Sequence, residues 1–326
     1  MVRQSAIAEV PAASVRRICL GTAQLGMRYG IVGRPSPPCE EEAIRLVRSA
    51  LTAGVTTLDT ARVYGNAEPL IGKALASVAA DSVRVLTKLG PLDDLRPAVS
   101  DAELRRAVDA SVDSSRRELG VEVLDTVMLH RWAHLRAFEG RIWRRLRELR
   151  ESGIVRRLGV SVYHPDHALD ALTDPDIQHI QLPFNVLDWR WTAASIETAV
   201  ARRPDVVIHA RSVFLQGLLL SSPSRWPAIA DTDAVGILAT LDSLGRSLGL
   251  RGRAELCMAF VLSHEWIDQV VMGVDSERQL QENLELVSCR QLTNVELDRV
   301  RSALPRVSVT LLDPSLWPGS ATEQSR

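Results

Sequence analysis

Four polar side chains, at or just after the ends of short apolar segments, could together protonate a carbonyl group. Asp59, Lys88 and His130 each end one such segment, and Tyr64 follows Asp59 by five residues. A phenol has a pKa near 10 and is a poor proton donor at neutral pH. A neighbouring ammonium favours the phenolate and lowers that pKa, while an aspartate keeps the lysine charged and oriented. With the histidine bound to the carbonyl oxygen, the set fits addition of a hydride to C=O, and we expect no metal site.

Lysine is rare in this chain, which makes Lys88 informative. Of the 39 basic residues, only Lys73 and Lys88 are lysines. Such a bias is typical of genomic base composition and does not by itself indicate a function. A chain that otherwise uses arginine keeps lysine where a compact ammonium of adjustable pKa is needed. We therefore expect a role for Lys88 that an arginine could not fill.

These side chains can converge only if the segments that carry them are parallel strands whose ends lie together. The chain alternates short β-branched or aliphatic segments with longer amphipathic ones, as expected for strands buried on both faces. This alternation predicts a single (β/α)8 barrel. An open doubly wound sheet is the alternative, but no G-x-G-x-x-G motif follows the first segment. The predicted strands are 16–21, 54–59, 83–88, 123–130, 156–161, 177–182, 205–210 and 267–273.

Amphipathic periodicity predicts the helices between the strands. The helix over 101–119 is expected to begin at a capping Asp or Ser. No linker is long enough to divide the chain, so we expect one barrel domain over 15–304, between an N-terminal tail (1–14) and a C-terminal loop or tail (305–326). The predicted helices are 40–53, 101–119, 137–152, 193–202, 234–248 and 254–262, and 34–38 and 221–227 are predicted loops.

Composition and charge exclude several kinds of partner. The chain is 46% hydrophobic and 24% charged, and its net charge of −1 argues against a nucleic-acid or acidic-membrane partner. No apolar run approaches the roughly 20 residues of a spanning helix, and the N-terminal segment lacks the apolar core of a signal peptide. The four cysteines are scattered without a C-x-x-C pair. We therefore expect reduced thiols in a cytoplasmic protein.

The segments that carry the four side chains resemble the motifs of the aldo-keto reductase family. Residues 58–72 (LDTARVYGNAEPLIG) are similar to the family's signature around its aspartate and tyrosine, and 85–88 (VLTK) and 127–132 (VMLHRW) to its lysine and histidine segments. Each motif alone is a weak signal, whereas eight in the same order are a strong one. The resemblance implies that Asp59, Tyr64, Lys88 and His130 form the catalytic tetrad. Further similar segments are 20–26, 158–162, 180–185, 211–219 and 271–284.

The resemblance also implies a nicotinamide cofactor, NADP with NAD as the alternative. Residues 211–217 would lie over the nicotinamide and the pyrophosphate, and 273–283 would hold the adenosine end. Ser161 and Gln181 would bind the nicotinamide carboxamide. The full set of cofactor residues so implied is Gly21, Thr22, Ala23, Asp59, Ser161, Gln181, Arg211, Ser212, Phe214, Gln216, Gly217, Gly273, Asp275, Gln279, Glu282 and Asn283.

At several of these positions the chain departs from the family's pattern. Val162 stands where the family usually has asparagine, and Arg211 stands where many members stack an aromatic ring, although a guanidinium can also stack. Asp275 replaces a common serine, and its carboxylate would disfavour the 2′-phosphate of NADP unless Arg278 compensates. Asp275 could equally point to solvent or cap the following helix.

Two functions fit these residues. The first is reversible, nicotinamide-dependent reduction of a small aldehyde or ketone, with Trp132 and Trp226 as walls of an apolar substrate pocket. The opening segment and 211–219 resemble bacterial family members of sugar and polysaccharide pathways, which implies a sugar-derived or specialised-metabolite carbonyl. The second is a cofactor-binding regulatory subunit with vestigial turnover, against which the intact tetrad argues. The oligomeric state is left open.

Overall fold

Eight parallel strands form a closed barrel in which each strand pairs with the next and β8 pairs with β1. The computed structural model describes residues 10–30, 34–76, 78–79, 82–92, 95–96 and 98–318. The predicted barrel is confirmed, and each predicted strand overlaps an observed one. The strands are β1 (Ile18–Gly21), β2 (Thr57–Asp59), β3 (Arg84–Lys88), β4 (Leu124–Leu129), β5 (Val155–Ser161), β6 (His179–Pro183), β7 (Val207–Arg211) and β8 (Gln269–Gly273).

Helices follow the strands and cover the barrel. Within the described part of the chain, no helix has both the length and the apolar character needed to cross a bilayer. The helices are α1 (Ala12–Val15), α2 (Ala23–Gly26), α3 (Glu40–Thr52), α4 (Ala67–Leu75), α5 (Asp101–Leu119), α6 (Arg141–Glu151), α7 (Pro165–Ala171), α8 (Trp189–Ala193), α9 (Ile196–Ala201), α10 (Ala234–Ser247), α11 (Arg253–Leu262), α12 (Glu277–Leu286), α13 (Asn294–Ala303) and α14 (Val309–Leu312). Short 3-10 turns span Trp132–Leu135, Ala137–Gly140, Leu218–Leu220, Pro223–Arg225 and Pro314–Leu316.

The ends of the helices follow local chemistry. Ser100 caps α5 by accepting a hydrogen bond from the Glu103 amide, and Gly120 ends that helix with a φ of 70°. Helix α6 begins at Arg141 and not at residue 137 as predicted. Phe138 and Glu139 have φ values of 51° and 58°, which lie in the left-handed region and cannot belong to an α-helix.

The strand register sets which side chains lie at the mouth of the barrel. Gly21 of β1 is level with Asp59 of β2, and Ser161 of β5 is level with Gln181 of β6. These residues end or nearly end their strands, so they lie together at the carboxyl end of the barrel, where the loops that follow the strands also lie.

Residues 305–318, in the predicted C-terminal loop or tail, contribute side chains to the hydrophobic core. Leu311, Leu312 and Trp317 are 0%, 1% and 4% exposed, and the Trp317 indole donates to the Leu311 carbonyl at 3.0 Å. Their apolar surface removed from water holds the segment in place. Residues 1–9 and 319–326 of the predicted tails lie outside the described residues.

Replacing Trp317 should therefore destabilise the whole barrel. We expect Trp317→Ala to lower the free energy of unfolding by about 3 kcal/mol, because it leaves a cavity under the segment. The adjacent Leu316 is 54% exposed, so the control Leu316→Ala should change that free energy by less than about 0.5 kcal/mol. Urea unfolding measures both, and equal effects of the two substitutions would contradict the packing described.

Candidate active site

A buried ion pair between Lys88 and Asp59 lies at the centre of the mouth. The Lys88 Nζ donates to Asp59 Oδ1 at 2.7 Å, and the two side chains are 1% and 4% exposed. The ammonium also donates to the Thr60 carbonyl at 3.0 Å, and Gln181 Nε2 donates to Asp59 Oδ1 at 2.7 Å. Buried charges are tolerated only when they are paired and hydrogen-bonded. The pair thus meets the condition for keeping an ammonium out of water.

Tyr64 and His130 complete the cluster that the sequence predicts. The Lys88 Nζ lies over the Tyr64 ring, 5.0 Å from its centroid. The rings of Tyr64 and His130 meet edge to face, with their centroids 6.0 Å apart. An acid, an ammonium, a phenol and an imidazole from three strand ends are therefore brought together at one mouth.

The pKa of Tyr64 corrects an expectation. Burial raises the pKa of this phenol well above its usual value, and the nearby Asp59 carboxylate raises it further. The expected lowering by Lys88 is not found, because the ammonium points to Asp59 and Thr60 and faces the ring of Tyr64. Tyr64 is therefore a neutral phenol in the protein on its own, and can donate its proton.

His130 is held in its neutral form. Burial lowers the pKa of the imidazole to about 3, and the neighbouring charges of Lys88, Arg211 and Arg131 lower it in the same direction. A neutral imidazole carries one N–H donor and one acceptor nitrogen. His130 can therefore donate a hydrogen bond to an oxygen at the mouth without adding a charge.

An anchor that sequence reasoning missed holds the loop that carries Tyr64. Arg62 bonds to Glu68, which is 1% exposed, and to Glu118 of α5 at 2.6 Å. Glu68 also accepts a hydrogen bond from Thr87 Oγ1 of β3 at 2.6 Å. The loop is thereby tied to a strand and to a helix. The only sequence signal was an arginine and a glutamate on either side of Tyr64.

A close backbone approach fixes the same loop from the other side. A Cβ atom on Gly26 of α2 would lie 1.9 Å from the Tyr64 carbonyl oxygen, and one on Gly65 would lie 2.2 Å from the Gly26 carbonyl oxygen. Gly65 also has a φ of 57°. Only glycines allow the two segments to pack this closely. This contact therefore fixes the position of the Tyr64 backbone at the mouth of the barrel.

A cavity of about 630 Å³ opens beside this cluster. It runs between the loop after β7, helices α11 and α12, and the end of β8. Its lining includes most of the residues implied for the pyrophosphate and adenosine. These are Ser212, Phe214, Gln216, Gly217, Gly273, Gln279, Glu282 and Asn283. Sequence reasoning missed others, among them Gln24, Tyr29, Gly30, Arg251, Arg253, Glu255 and Glu285.

The loop after β7 holds an unusual backbone conformation where it borders the cavity. Ser212, Leu215, Gln216 and Gly217 have φ values of 61°, 47°, 53° and 90°. Left-handed conformations at non-glycine residues are costly and cluster at functional sites. The loop turns tightly, with the Leu215 amide donating to the Ser212 carbonyl at 2.8 Å.

The remaining residues implied for the cofactor lie deeper, at the strand ends. Gly21 ends β1, Thr22 and Ala23 follow it, and the Thr22 hydroxyl donates to the Asp59 carbonyl at 2.8 Å. Ser161 is 2% exposed at the end of β5, and Gln181, level with it, is 1% exposed and bound to Asp59. Through Thr22 and Gln181, Asp59 is hydrogen-bonded to the segment after β1 and to β6.

The Arg211 side chain contacts an aromatic ring of the same chain. Its guanidinium lies over the Tyr163 ring, 4.2 Å from the centroid, and its Nη2 is 3.4 Å from the Val162 carbonyl oxygen. The Val162 side chain is fully buried. The guanidinium therefore stacks as expected of its chemistry, and the ring beneath it is that of Tyr163.

The residue that caps the N-terminus of α12 is not Asp275. Ser276 caps α12 by accepting from the Gln279 amide, while the Asp275 amide donates to Gln279 Oε1 at 3.0 Å and the residue is 7% exposed. Asp275 therefore does not cap the helix, and the residue is largely buried. Arg278 pairs with Glu282 at 2.8 Å, and its side chain is 87% exposed.

The two tryptophans predicted to wall the substrate pocket are half-buried and have bonded indole groups. Trp132 stacks on His167 with centroids 4.1 Å apart and donates to Asp170 Oδ2 at 3.0 Å. Trp226 donates to the Leu218 carbonyl at 3.1 Å. These hydrogen bonds orient both rings. Their contact with a substrate stays a prediction.

Comparison with known proteins gives consistent matches. The model of the "Aldo/keto reductase family" matches residues 17–305. A protein of Escherichia coli K12 named NADH-specific methylglyoxal reductase is 25% identical over 267 residues, which cover 74% of this chain and 81% of that protein. An aldo-keto reductase of Mycolicibacterium vanbaalenii is 32% identical over 200 residues, covering 59% of this chain and 65% of that protein.

Among solved structures, the holo form of an aldo-keto reductase from Bacillus halodurans has a similar fold. The TM-score is 0.71 at 22% identity, over 89% of this chain and 93% of that one. At this identity the likeness concerns the fold alone.

The raised pKa of Tyr64 can be tested by titration, since the chain has only three tyrosines. Burial holds the pKa of Tyr29 and Tyr64 above the ordinary value, so the folded protein should ionise at most one tyrosine by about pH 10.5. Ultraviolet absorbance of tyrosinate counts the ionised rings, with protein unfolded in guanidinium as the reference for all three. Tyr64→Phe should leave the folded signal at this pH unchanged, whereas a loss of one tyrosinate would show that Lys88 dominates.

Proposed function

Because the chain belongs to the aldo/keto reductase family, we propose that it is an NAD(P)H-dependent reductase that converts a small aldehyde or ketone into an alcohol. The observation that carries this proposal is the buried Asp59–Lys88 pair beneath Tyr64, with His130 beside the phenol. Membership of the family supports an oxidoreductase activity, and the arrangement of the cluster supports Tyr64 as the proton donor. The chemistry is reversible in principle, as an alcohol dehydrogenase.

Tyr64 acts in this proposal as the general acid. It is neutral at rest, because burial raises its pKa, and it gives its proton to the oxygen of the carbonyl as that oxygen gains negative charge. The phenolate left behind lies next to the Lys88 ammonium, 5.0 Å from the ring centroid. Lys88 thus stabilises a charge that exists only as the reaction proceeds, and such an interaction raises the rate.

Asp59 and His130 position the groups around this proton transfer. Asp59 holds the Lys88 side chain in place, and its 2.7 Å hydrogen bonds from Lys88 and Gln181 in turn fix the carboxylate. The neutral His130 donates its N–H to the carbonyl oxygen and aligns it with the phenol. The alignment fixes the attack geometry and supplies part of the rate.

The residues that surround the cavity fit a dinucleotide. Its volume of about 630 Å³ lies in the range of cofactor sites. Gly30 and Gly217 line the cavity, and as glycines they place no Cβ atom in it. Their φ values of 81° and 90° lie in the left-handed region. Gln216 and Asn283 offer amide groups to the cavity. When bound, the cofactor supplies the hydride. Ser212 and Gln216 would hold it near the cluster, while Gln279, Glu282 and Asn283 would hold it at the far end.

We propose NADP as the cofactor, with NAD as the second candidate. Arg251 and Arg253 line the cavity and could pair with a 2′-phosphate. Glu255, Glu282 and Glu285 line the same cavity and favour the ribose hydroxyl of NAD. The E. coli relative is named as NADH-specific. The ratio of kcat/KM for the two reduced cofactors decides between them.

A sugar-derived or specialised-metabolite carbonyl is the substrate class that we propose. A panel of such aldehydes and ketones, assayed with NADPH and NADH by the loss of reduced-nicotinamide absorbance, tests the function. Reduction of at least one member supports it. Tight cofactor binding without turnover on the whole panel would instead support a regulatory subunit.

Tyr64→Phe should abolish turnover and leave cofactor binding intact, because it removes only the proton donor. We expect a loss in kcat of at least about 100-fold, with the cofactor dissociation constant unchanged within about threefold. Steady-state rates and fluorescence titration of the cofactor measure the two effects. Retention of more than about a tenth of the rate would rule out Tyr64 as the acid.

A further inference from the structure

Arg211 is a cation at the mouth that forms no ion pair with any described carboxylate. No carboxylate of the described residues lies within 4.0 Å of its guanidinium. By contrast, Arg190, which is buried near the end of β6, is bound through Nε and Nη2 to Asp188 at 2.7 and 2.6 Å. A partly buried cation loses solvation, and proteins usually compensate that loss with a paired acid. At Arg211 the Asp313 carboxylate helps to raise the pKa of the guanidinium, but it forms no ion pair with it.

The contacts that Arg211 does make leave most of its donors available. Its Nη1 is 3.5 Å from the Ser212 hydroxyl and its Nη2 is 3.4 Å from the Val162 carbonyl, and both are long for hydrogen bonds. A guanidinium carries five N–H donors in a rigid fork. Stacking on Tyr163 at 4.2 Å fixes the plane of that fork and consumes none of the donors.

The charge of Arg211 acts on the catalytic cluster itself. It lowers the pKa of His130, as do Lys88 and Arg131, and it acts against the rise in the pKa of Tyr64. The Lys88 charge is compensated by Asp59 at 2.7 Å. Arg211 therefore acts on both the phenol and the imidazole while no described carboxylate lies within ion-pair distance of it.

We propose that Arg211 binds an anionic group of the substrate, so that the preferred substrate is an aldehyde or ketone that carries a carboxylate or a phosphate. This inference rests on the proposed reductase function. The guanidinium offers the two parallel donors that such groups accept. Its backbone is fixed at the end of β7, where Arg211 is level with Pro183 of β6. Tyr163 then acts as the support that orients the fork.

Matched substrates that differ only in charge test the proposal. One pair is 4-carboxybenzaldehyde and its methyl ester, and the other is glyceraldehyde 3-phosphate and glyceraldehyde. We expect the wild type to prefer the anionic member of at least one pair, and the preferred pair identifies carboxylate or phosphate as the group. Arg211→Met should lower kcat/KM for that anionic member by about 10- to 100-fold, the effect of losing a charged hydrogen-bonded pair. The neutral member should lose at least about tenfold less than the anionic member, so that the ratio of the two kcat/KM values falls.

Arg225 provides the matched control, because it is an exposed arginine in the same loop after β7. Arg225→Met should leave both members of each pair unchanged, and Arg211→Lys should recover part of the preference. Equal losses on the anionic and neutral members would overturn the proposal, as would a weaker cofactor affinity of Arg211→Met with the preference for charge unaltered. The second result would assign the guanidinium to the cofactor.

A binding measurement separates this proposal from the reductase function. Benzoate and phosphate, added to the protein with bound cofactor, should raise the midpoint of thermal unfolding in the wild type and in Arg225→Met. That rise should be lost in Arg211→Met, whereas benzamide should have no effect on any variant. If no carbonyl is reduced but this pattern holds, the reductase function fails and the anion site stands. Equal stabilisation of all variants would refute the anion site.

Discussion

The buried ion pair between Lys88 and Asp59 is the constraint on which the rest of the site depends. An ammonium held at 1% exposure is stable only beside an acid and further acceptors. Asp59 and Thr60 supply these partners from the strand next to the one that ends in Lys88. The pair therefore requires β2 and β3 to be parallel neighbours that end together, which the closed barrel provides.

The position of Tyr64 follows from the same pair and from the loop that leaves β2. Arg62 ties the loop to Glu68 and Glu118, and Gly26 lets α2 approach its backbone closely. The phenol then lies next to the ammonium, where burial raises the pKa of Tyr64 and keeps it protonated. In the proposed reaction, the Lys88 charge would stabilise the phenolate that remains when the proton leaves.

The barrel and the convergence of the four polar side chains could be predicted because strand ends in this fold meet by topology. Asp59, Lys88 and His130 needed only the strand boundaries to be placed. Contacts between distant loops could not be predicted, since no local pattern encodes them. The stacking of Arg211 on Tyr163 is one example, and the packing of 305–318 on the barrel is another. The direction of the Tyr64 pKa also depended on burial and on where the ammonium points, which spacing does not reveal.

The most direct test of this account is a double-mutant cycle between Asp59 and Lys88, read out as kcat/KM on one reducible carbonyl. If Asp59 acts through Lys88, Asp59→Asn and Lys88→Met should each cause a large loss, and the double variant should lose no more than the worse single one. Circular dichroism of each variant checks that the barrel is intact. Losses that multiply in the double variant, or near-native activity of either single variant, would contradict the claim that the pair works as one unit.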